Sequence, residues 1–241
     1  MYKKSLLVVG GSGYVGSRVL QEASRLGWVK VTAVQKRPPA QHLPNVEFIA
    51  GNALSPDAFK SRVEEADAII HTVGVLVDAS VSRRVPPGGP GTYEEMNFET
   101  ARRVGDLANS FTDKRRRMAY ISASSAPPFL PRYLTTKTRA EDHIRNLPNV
   151  DAIILRPGLI TDPSRRLISV LAGLTDLAYG LMPAMRNLRS VSRENVAKAL
   201  LYTTLMSEQQ YPHGLYLDMI NELAAQYNRD QRASLSGRAE Q

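Results

Sequence analysis

The chain has 241 residues, 43% of them hydrophobic, a formal net charge of +8 and no cysteine. That length fits one α/β domain, or one domain with a small appendage, and the apolar share is ample for its core. Disulfides, thiolate metal sites and cysteine nucleophiles are excluded, and the four histidines, His42, His71, His143 and His213, are scattered without ligand spacing, so no metal site is expected.

The N-terminus, "MYKKSLLVVG", is expected to pass straight into a strand, "SLLVV", without a secretory h-region or a transit peptide of its own, so the protein is either made without a presequence or has one outside this sequence. No uncharged apolar run reaches the roughly 18 residues that span a bilayer. After the strand come Gly10, Gly13 and Gly16, and then a helix, "YVGSRVLQEASRLG", closed by Gly27. A strand, three glycines at this spacing and a helix start form a dinucleotide cradle. The first glycine turns the chain, the second admits a pyrophosphate and the third packs helix on strand. The backbone around Gly10, Gly13, Tyr14, Val15 and Gly16 then offers N–H donors and the positive helix end to the phosphates.

The second strand, "KVTAVQ", ends at Gln35, where an acidic residue would hold the 2′-hydroxyl of an NAD ribose. Lys36 and Arg37 follow instead, which favours the 2′-phosphate of NADP(H) over NAD(H). "VEFIA" is the third strand. Asn52 and Ala53 lie just beyond it, where a polar side chain can meet the adenine edge. "PDAFKSRVEEA" is a helix and "DAIIHTVG" the fourth strand, whose small end residues Thr72, Val73 and Gly74 let backbone pass the cofactor. His71 reads as a strand-end structural residue rather than a base. "RRVPPGGPG" (83–91) is expected to be an exposed insertion, and "YEEMNFETARRVGDLANSF" a helix. "DKRRR" (113–117) reads as part of solvated basic loops, with no alternating aromatic residues, so nucleic acid is not an expected partner.

"RMAYISA" is the fifth strand, "RYLTTKTRAEDHIRNL" a helix and "DAIILRPG" the sixth strand. Tyr133 and Lys137 stand four apart, on one face of that helix. A lysine ammonium beside the phenol is expected to lower its pKa, so that Tyr133 exchanges a proton while hydride moves. Ser124, with Ser122 and Ser125 as alternates, is placed to hydrogen-bond a carbonyl under reduction. Pro127, Pro128 and Pro131 fix the path into the helix.

Continuous apolar strands alternating with helices predict a Rossmann-type doubly wound parallel sheet over residues 1–158. A small, mostly helical C-terminal appendage over 159–241 packs on the same domain. In that appendage Leu167–Met185 reads as an apolar helix. It is either packed on the domain or turned to a membrane face, with Arg165, Arg166, Arg186 and Arg189 beside it and Asp176 opposing deep insertion. "SRENVAKALLYTTLMSE" is a helix capped by Ser192, "GLYLD" a short strand or turn, and "MINELAAQYNRDQ" a last helix before a frayed end.

These motifs together resemble the atypical, extended-type short-chain dehydrogenase/reductase superfamily over most of the chain. Two mitochondrial groups within it are similar: the SDR-like proteins of coenzyme Q (ubiquinone) biosynthesis, and the Rossmann-type accessory subunit of respiratory complex I, which binds NADPH without known turnover. The ubiquinone group matches better, because "HTVGVL", "YEEMN", "YISA", "YLTTK" and "RPG" agree in order and context. The resemblance implies that Asn97 supports an active site of Ser124, Tyr133 and Lys137, and that Lys137 and Pro157 touch the cofactor. It implies an NADP(H)-binding protein on the matrix side of the inner membrane, in peripheral contact with the membrane and with ubiquinone-biosynthesis proteins. Such a protein is either an oxidoreductase or a non-catalytic nucleotide-binding subunit. A homodimer through the "YEEMN" and "YLTTK" helices is a further expectation, unless a partner protein takes that face.

Overall fold

A computed structural model describes residues 3–39, 42–76, 78–79, 85–125, 130–162 and 189–239. Six strands, β1 (Lys4–Val9), β2 (Val29–Gln35), β3 (Val46–Ala50), β4 (Ala68–His71), β5 (Arg116–Ile121) and β6 (Val150–Leu155), form one parallel sheet in the order β3-β2-β1-β4-β5-β6. The order reverses between β1 and β4, and ligands of such sheets bind in the crevice at that switch point, outside the strand carboxyl ends.

Both faces are covered, which is why the strands read as unbroken apolar runs. Leu6 and Val8 of β1 point into one core, Leu7 and Val9 into the other. The first core is closed by α1 (Tyr14–Ala23), α5 (Arg193–Leu201) and α6 (Leu217–Ala239), the second by α2 (Lys60–Glu65), α3 (Thr100–Asn109) and α4 (Pro131–Arg145). The C-terminal helices thus form one of the two layers that bury the sheet. A short pair, β7 (Ile160–Thr161) with β8 (Val191–Ser192), leads into α5, and Ser192 caps that helix by accepting from Asn195 N at 3.0 Å.

Several elements differ from expectation. α1 ends at Ala23 rather than at Gly27. The helix before β5 starts as a π-helical turn over Glu94–Glu99 and becomes α-helical only in α3. α6 continues to Ala239 instead of fraying. "GLYLD" contributes a single bridge, Leu215 beside Leu155. The basic run is a solvated loop only in part: Asp113 and Arg115 are exposed, and the other cations are engaged. Arg116 is fully buried and donates to Val63 O (3.0 Å), Glu64 O (2.6 Å) and Lys114 O (3.1 Å), so it caps the carboxyl end of α2. Lys114 pairs with Asp67 at 2.6 Å and Arg117 with Asp151 at 3.0 Å. These cations tie strand starts to helix ends. The apolar segment Leu167–Met185, with Arg165, Arg166 and Arg186, lies outside the described residues, as do Pro127 and Pro128.

The insertion after β4 is anchored where it is described. Tyr93 Oη donates to Leu76 O at 2.8 Å, Ala79 N to Gly91 O at 3.2 Å, and Gly91 N to Glu95 Oε2 at 2.6 Å. Arg132, at the start of α4, pairs with buried Asp78 at 3.4 Å and with Glu94 at 2.6 Å.

Candidate functional site

The cradle is built by close backbone approach. Gly10 has φ +95°, a left-handed conformation that side chains resist, and a Cβ there would lie 2.8 Å from Thr72 Oγ1. A Cβ on Gly16 would run into the carbonyl oxygen of Gly10. Thr72 Oγ1 donates to Val9 O (3.0 Å) and Gly10 O (3.1 Å), which locks β4 to the turn. Gly11, absent from the sequence-derived set, is as tightly held. Its Cβ position is 2.8 Å from Leu20 Cδ1, and only the double glycine "GG" signalled it. α1 begins at Tyr14, followed by Val15, and its first turn carries neither a side-chain cap nor an acidic residue. Its N-terminal donors and positive dipole end therefore suit an anion.

At the end of β2, Gln35 is buried and its Nε2 donates to Arg37 O at 2.7 Å. That bond turns the chain so that Lys36 and Arg37 face solvent. Asn52 engages its Oδ1 with Leu54 N at 3.1 Å, and Ala53 beside it is buried.

The second half of the site gathers around Lys137. Its Nζ donates to Ile121 O at 2.7 Å and lies 4.9 Å from the centre of the Tyr120 ring. A Cβ on Gly74 would be 2.8 Å from Asn97 Oδ1 and 3.1 Å from Lys137 Nζ, so the end of β4, the π turn and α4 converge here. Asn97 is fully buried. Its Oδ1 accepts from Val75 N (2.9 Å), its Nδ2 donates to Val75 O (3.3 Å), and its carbonyl accepts from Tyr120 Oη (2.7 Å). The π turn sets it at this depth, and such turns gather at functional sites. Val73 packs at the edge of the core next to Gly74.

Burial pulls the Lys137 ammonium down to about 7, against the Glu141 carboxylate, which favours its charge. His71 is fully buried at the end of β4 and is pulled to about 3 by burial and then by Lys137, so its ring is neutral. Tyr133 departs from expectation. Burial pushes its phenol up to about 12, and Tyr93, 5.5 Å away in an edge-on contact, adds to the rise. The ammonium of Lys137 is engaged by a backbone carbonyl, and desolvation of the phenol dominates. Tyr133 is therefore a proton donor here rather than a phenolate.

Ser124 donates through both N (3.0 Å) and Oγ (3.2 Å) to Pro157 O, joining the ends of β5 and β6. Ser122 is buried, and its Oγ has no hydrogen-bond partner among the described residues. A buried hydroxyl left without a partner costs about 1–3 kcal/mol. The glycine cradle and this hydroxyl both suit a dinucleotide laid across the strand ends. Among the described residues no cluster of acidic or histidine side chains suits a metal ion.

A 3-2-1-4-5-6 parallel sheet, a glycine cradle at its switch point and a Tyr-x-x-x-Lys helix beside it define a dinucleotide-binding protein with the short-chain dehydrogenase fold. The chain belongs to the NAD(P)H-binding family, which matches residues 10–205. Solved structures agree on the fold. MoeE5, in complex with UDP-glucose and NAD, superposes with a TM-score of 0.63 at 17% identity, covering 92% of this chain and 81% of that one. WbmF of Bordetella bronchiseptica, in complex with NAD+, gives 0.61 at 18% identity, covering 95% and 78%. A short-chain dehydrogenase family protein of Francisella tularensis gives 0.64 at 16% identity, covering 88% and 96%. In sequence, the chain is 28% identical over 211 residues to MIOREX complex component 2 of Saccharomyces cerevisiae, covering 68% of this chain and 75% of that protein.

Proposed function

We propose that this chain is an NADP(H)-binding component of mitochondrial ubiquinone biosynthesis, working on the matrix side of the inner membrane with other proteins of that pathway. The glycine cradle carries the nucleotide part of this reading: at Gly10 and Gly16 there is no space for a side chain. Lys36 and Arg37, exposed on the turn formed by Gln35, supply cations for a 2′-phosphate and support NADP(H) over NAD(H). The pathway and the compartment rest on the ordered motifs from "HTVGVL" to "RPG". Likeness to a yeast complex component supports work in an assembly. No helix among the described residues is long and apolar enough to cross a membrane, in keeping with peripheral contact.

The chemistry that fits is carbonyl reduction. A bound nicotinamide supplies hydride. Tyr133, protonated up to about pH 12, gives its proton to the developing alkoxide oxygen. Ser124, or the unpartnered Ser122, donates a hydrogen bond to the same oxygen. Lys137 holds ribose hydroxyls from its buried position, and Asn97 fixes the loop that closes over it.

A second reading, a nucleotide-binding subunit without turnover, is favoured by the engagement of Ser124 Oγ with Pro157 O and of Lys137 Nζ with Ile121 O. Two variants separate the readings in cells lacking the native protein. Loss of ubiquinone with both Gly13→Asp and Tyr133→Phe supports the reductase. Loss with Gly13→Asp alone supports the subunit, and full production with both removes the proposed role.

A further inference from the structure

The Glu141 carboxylate, one helical turn beyond Lys137, is buried to 1% exposure. A buried carboxylate needs a partner, and Arg156 at the end of β6 supplies it. Its Nε lies 3.1 and 3.0 Å from the two carboxylate oxygens, and its Nη2 bonds one of them as well. Arg156 is itself held by the segment that precedes α6. Its Nη1 donates to Tyr216 Oη at 2.7 Å, and its backbone N donates to Leu215 O at 2.8 Å. Gly214 lies so close that a Cβ would sit 2.8 Å from Arg156 Cδ and 2.9 Å from its Nε. Leu215 N in turn donates to Ile154 O at 2.8 Å, seating the segment on β6.

We propose that Glu141 is a positioning residue for Lys137: clamped by Arg156, Tyr216 and the close-packed Gly214, its carboxylate is a charge held in a fixed place one helical turn away, and it favours the ammonium form of the lysine. The proposal deepens the nucleotide-site reading of Lys137 and rests on it only for its consequence in binding. Three observations carry it. Lys137 is buried with a single hydrogen-bond acceptor among the described residues, Ile121 O. Around it stand the neutral ring of His71 from β4, the Tyr120 ring from β5 and the Asn97 amide from the π turn, with Tyr133 one turn before it and Glu141 one turn after it in its own helix. Glu141 is the one anion in that set, and its place is decided outside the site, by a segment near the C-terminus.

The test is an NMR titration of the 15N-labelled Lys137 Nζ in the nucleotide-free full chain. In the wild type the midpoint is expected near 7. Glu141→Gln, which keeps the shape and an acceptor for Arg156, is expected to lower it by about one unit, leaving about tenfold less ammonium at a fixed pH above the midpoint. Gly214→Ala, which displaces Arg156 and leaves the Glu141 charge uncompensated, is expected to move it the opposite way, upward, and Glu141→Asp to restore part of the loss seen in Glu141→Gln. An unchanged midpoint in Glu141→Gln overturns the proposal. Should that variant not fold, Gly214→Ala decides alone, and an unchanged midpoint there overturns it equally. NADPH affinity measured against pH on the same proteins separates the two claims. A shifted lysine with an unshifted binding profile upholds the clamp and removes Lys137 from the nucleotide site.

Discussion

The two ends of the sheet use the same kinds of residue in opposite ways. At the amino ends of β4–β6 the cations are satisfied within the chain: Arg116 by three backbone carbonyls, Lys114 by Asp67, Arg117 by Asp151. At the carboxyl ends the groups are held but left available. Among the described residues, α1 starts with no side-chain cap, Ser122 Oγ has no partner, and Lys137 is buried on a single carbonyl. The contrast shows that neither the count of basic residues nor their clustering locates a ligand. What locates it is polar capacity left unmet beside backbone that excludes side chains.

The largest effect is expected at the satisfied end. Arg116→Ala empties a fully buried site and strands two carbonyls of α2, and should cost about 3 kcal/mol or more in urea unfolding, with NADPH affinity of the folded protein changed less than about twofold. Next is Gly16→Ala at the available end. Its methyl collides with Gly10 O and is expected to weaken NADPH binding by about 100-fold, with a stability loss of about 1–3 kcal/mol. If Arg116→Ala proved neutral and Gly16→Ala bound NADPH normally, the contrast between the two ends would be broken.

A smaller effect separates the ends by pH. Lys137 titrates near 7 when folded and at its ordinary value near 10.5 when unfolded, so between these the unfolded chain binds more protons. Its contribution to stability therefore rises as pH goes from about 7 to about 10.5. Tyr133, raised from 10 to about 12, acts the other way above pH 10. Lys137→Met should show a shallower rise than wild type in unfolding free energy between pH 7 and 9.5. Equal slopes would place the lysine in solvent. The smallest effect separates the two serines by sign: Ser122→Ala removes a buried hydroxyl that has no partner among the described residues and should raise stability by about 1 kcal/mol while reducing NADPH affinity or turnover. Ser124→Ala loses a bond to Pro157 and should cost about 1 kcal/mol; equal costs would erase the distinction between the serines.

What was legible in the sequence was what neighbours in the chain decide. The apolar strands, the glycine turn and the Ser192 cap follow from local pattern and were found where expected. The helix to Ala239 and the burial of Arg116 were not legible, because packing against distant elements decides them. In the site, the Tyr133–Lys137 pair was visible as a spacing. The direction of the Tyr133 shift was not, since it depends on burial and on Tyr93, which belongs to another segment. Nothing in the local sequence marks Glu141, because its partner Arg156 belongs to another segment.

The central claim is that the carboxyl edge of the sheet holds NADPH, and calorimetric titration of the purified chain with NADPH and NADH tests it most directly. Binding of NADPH is expected, about tenfold or more tighter than NADH, with the preference lost when Lys36 and Arg37 are both changed to Ala. No heat from either nucleotide, or a preference that survives that change, would contradict the account of the site.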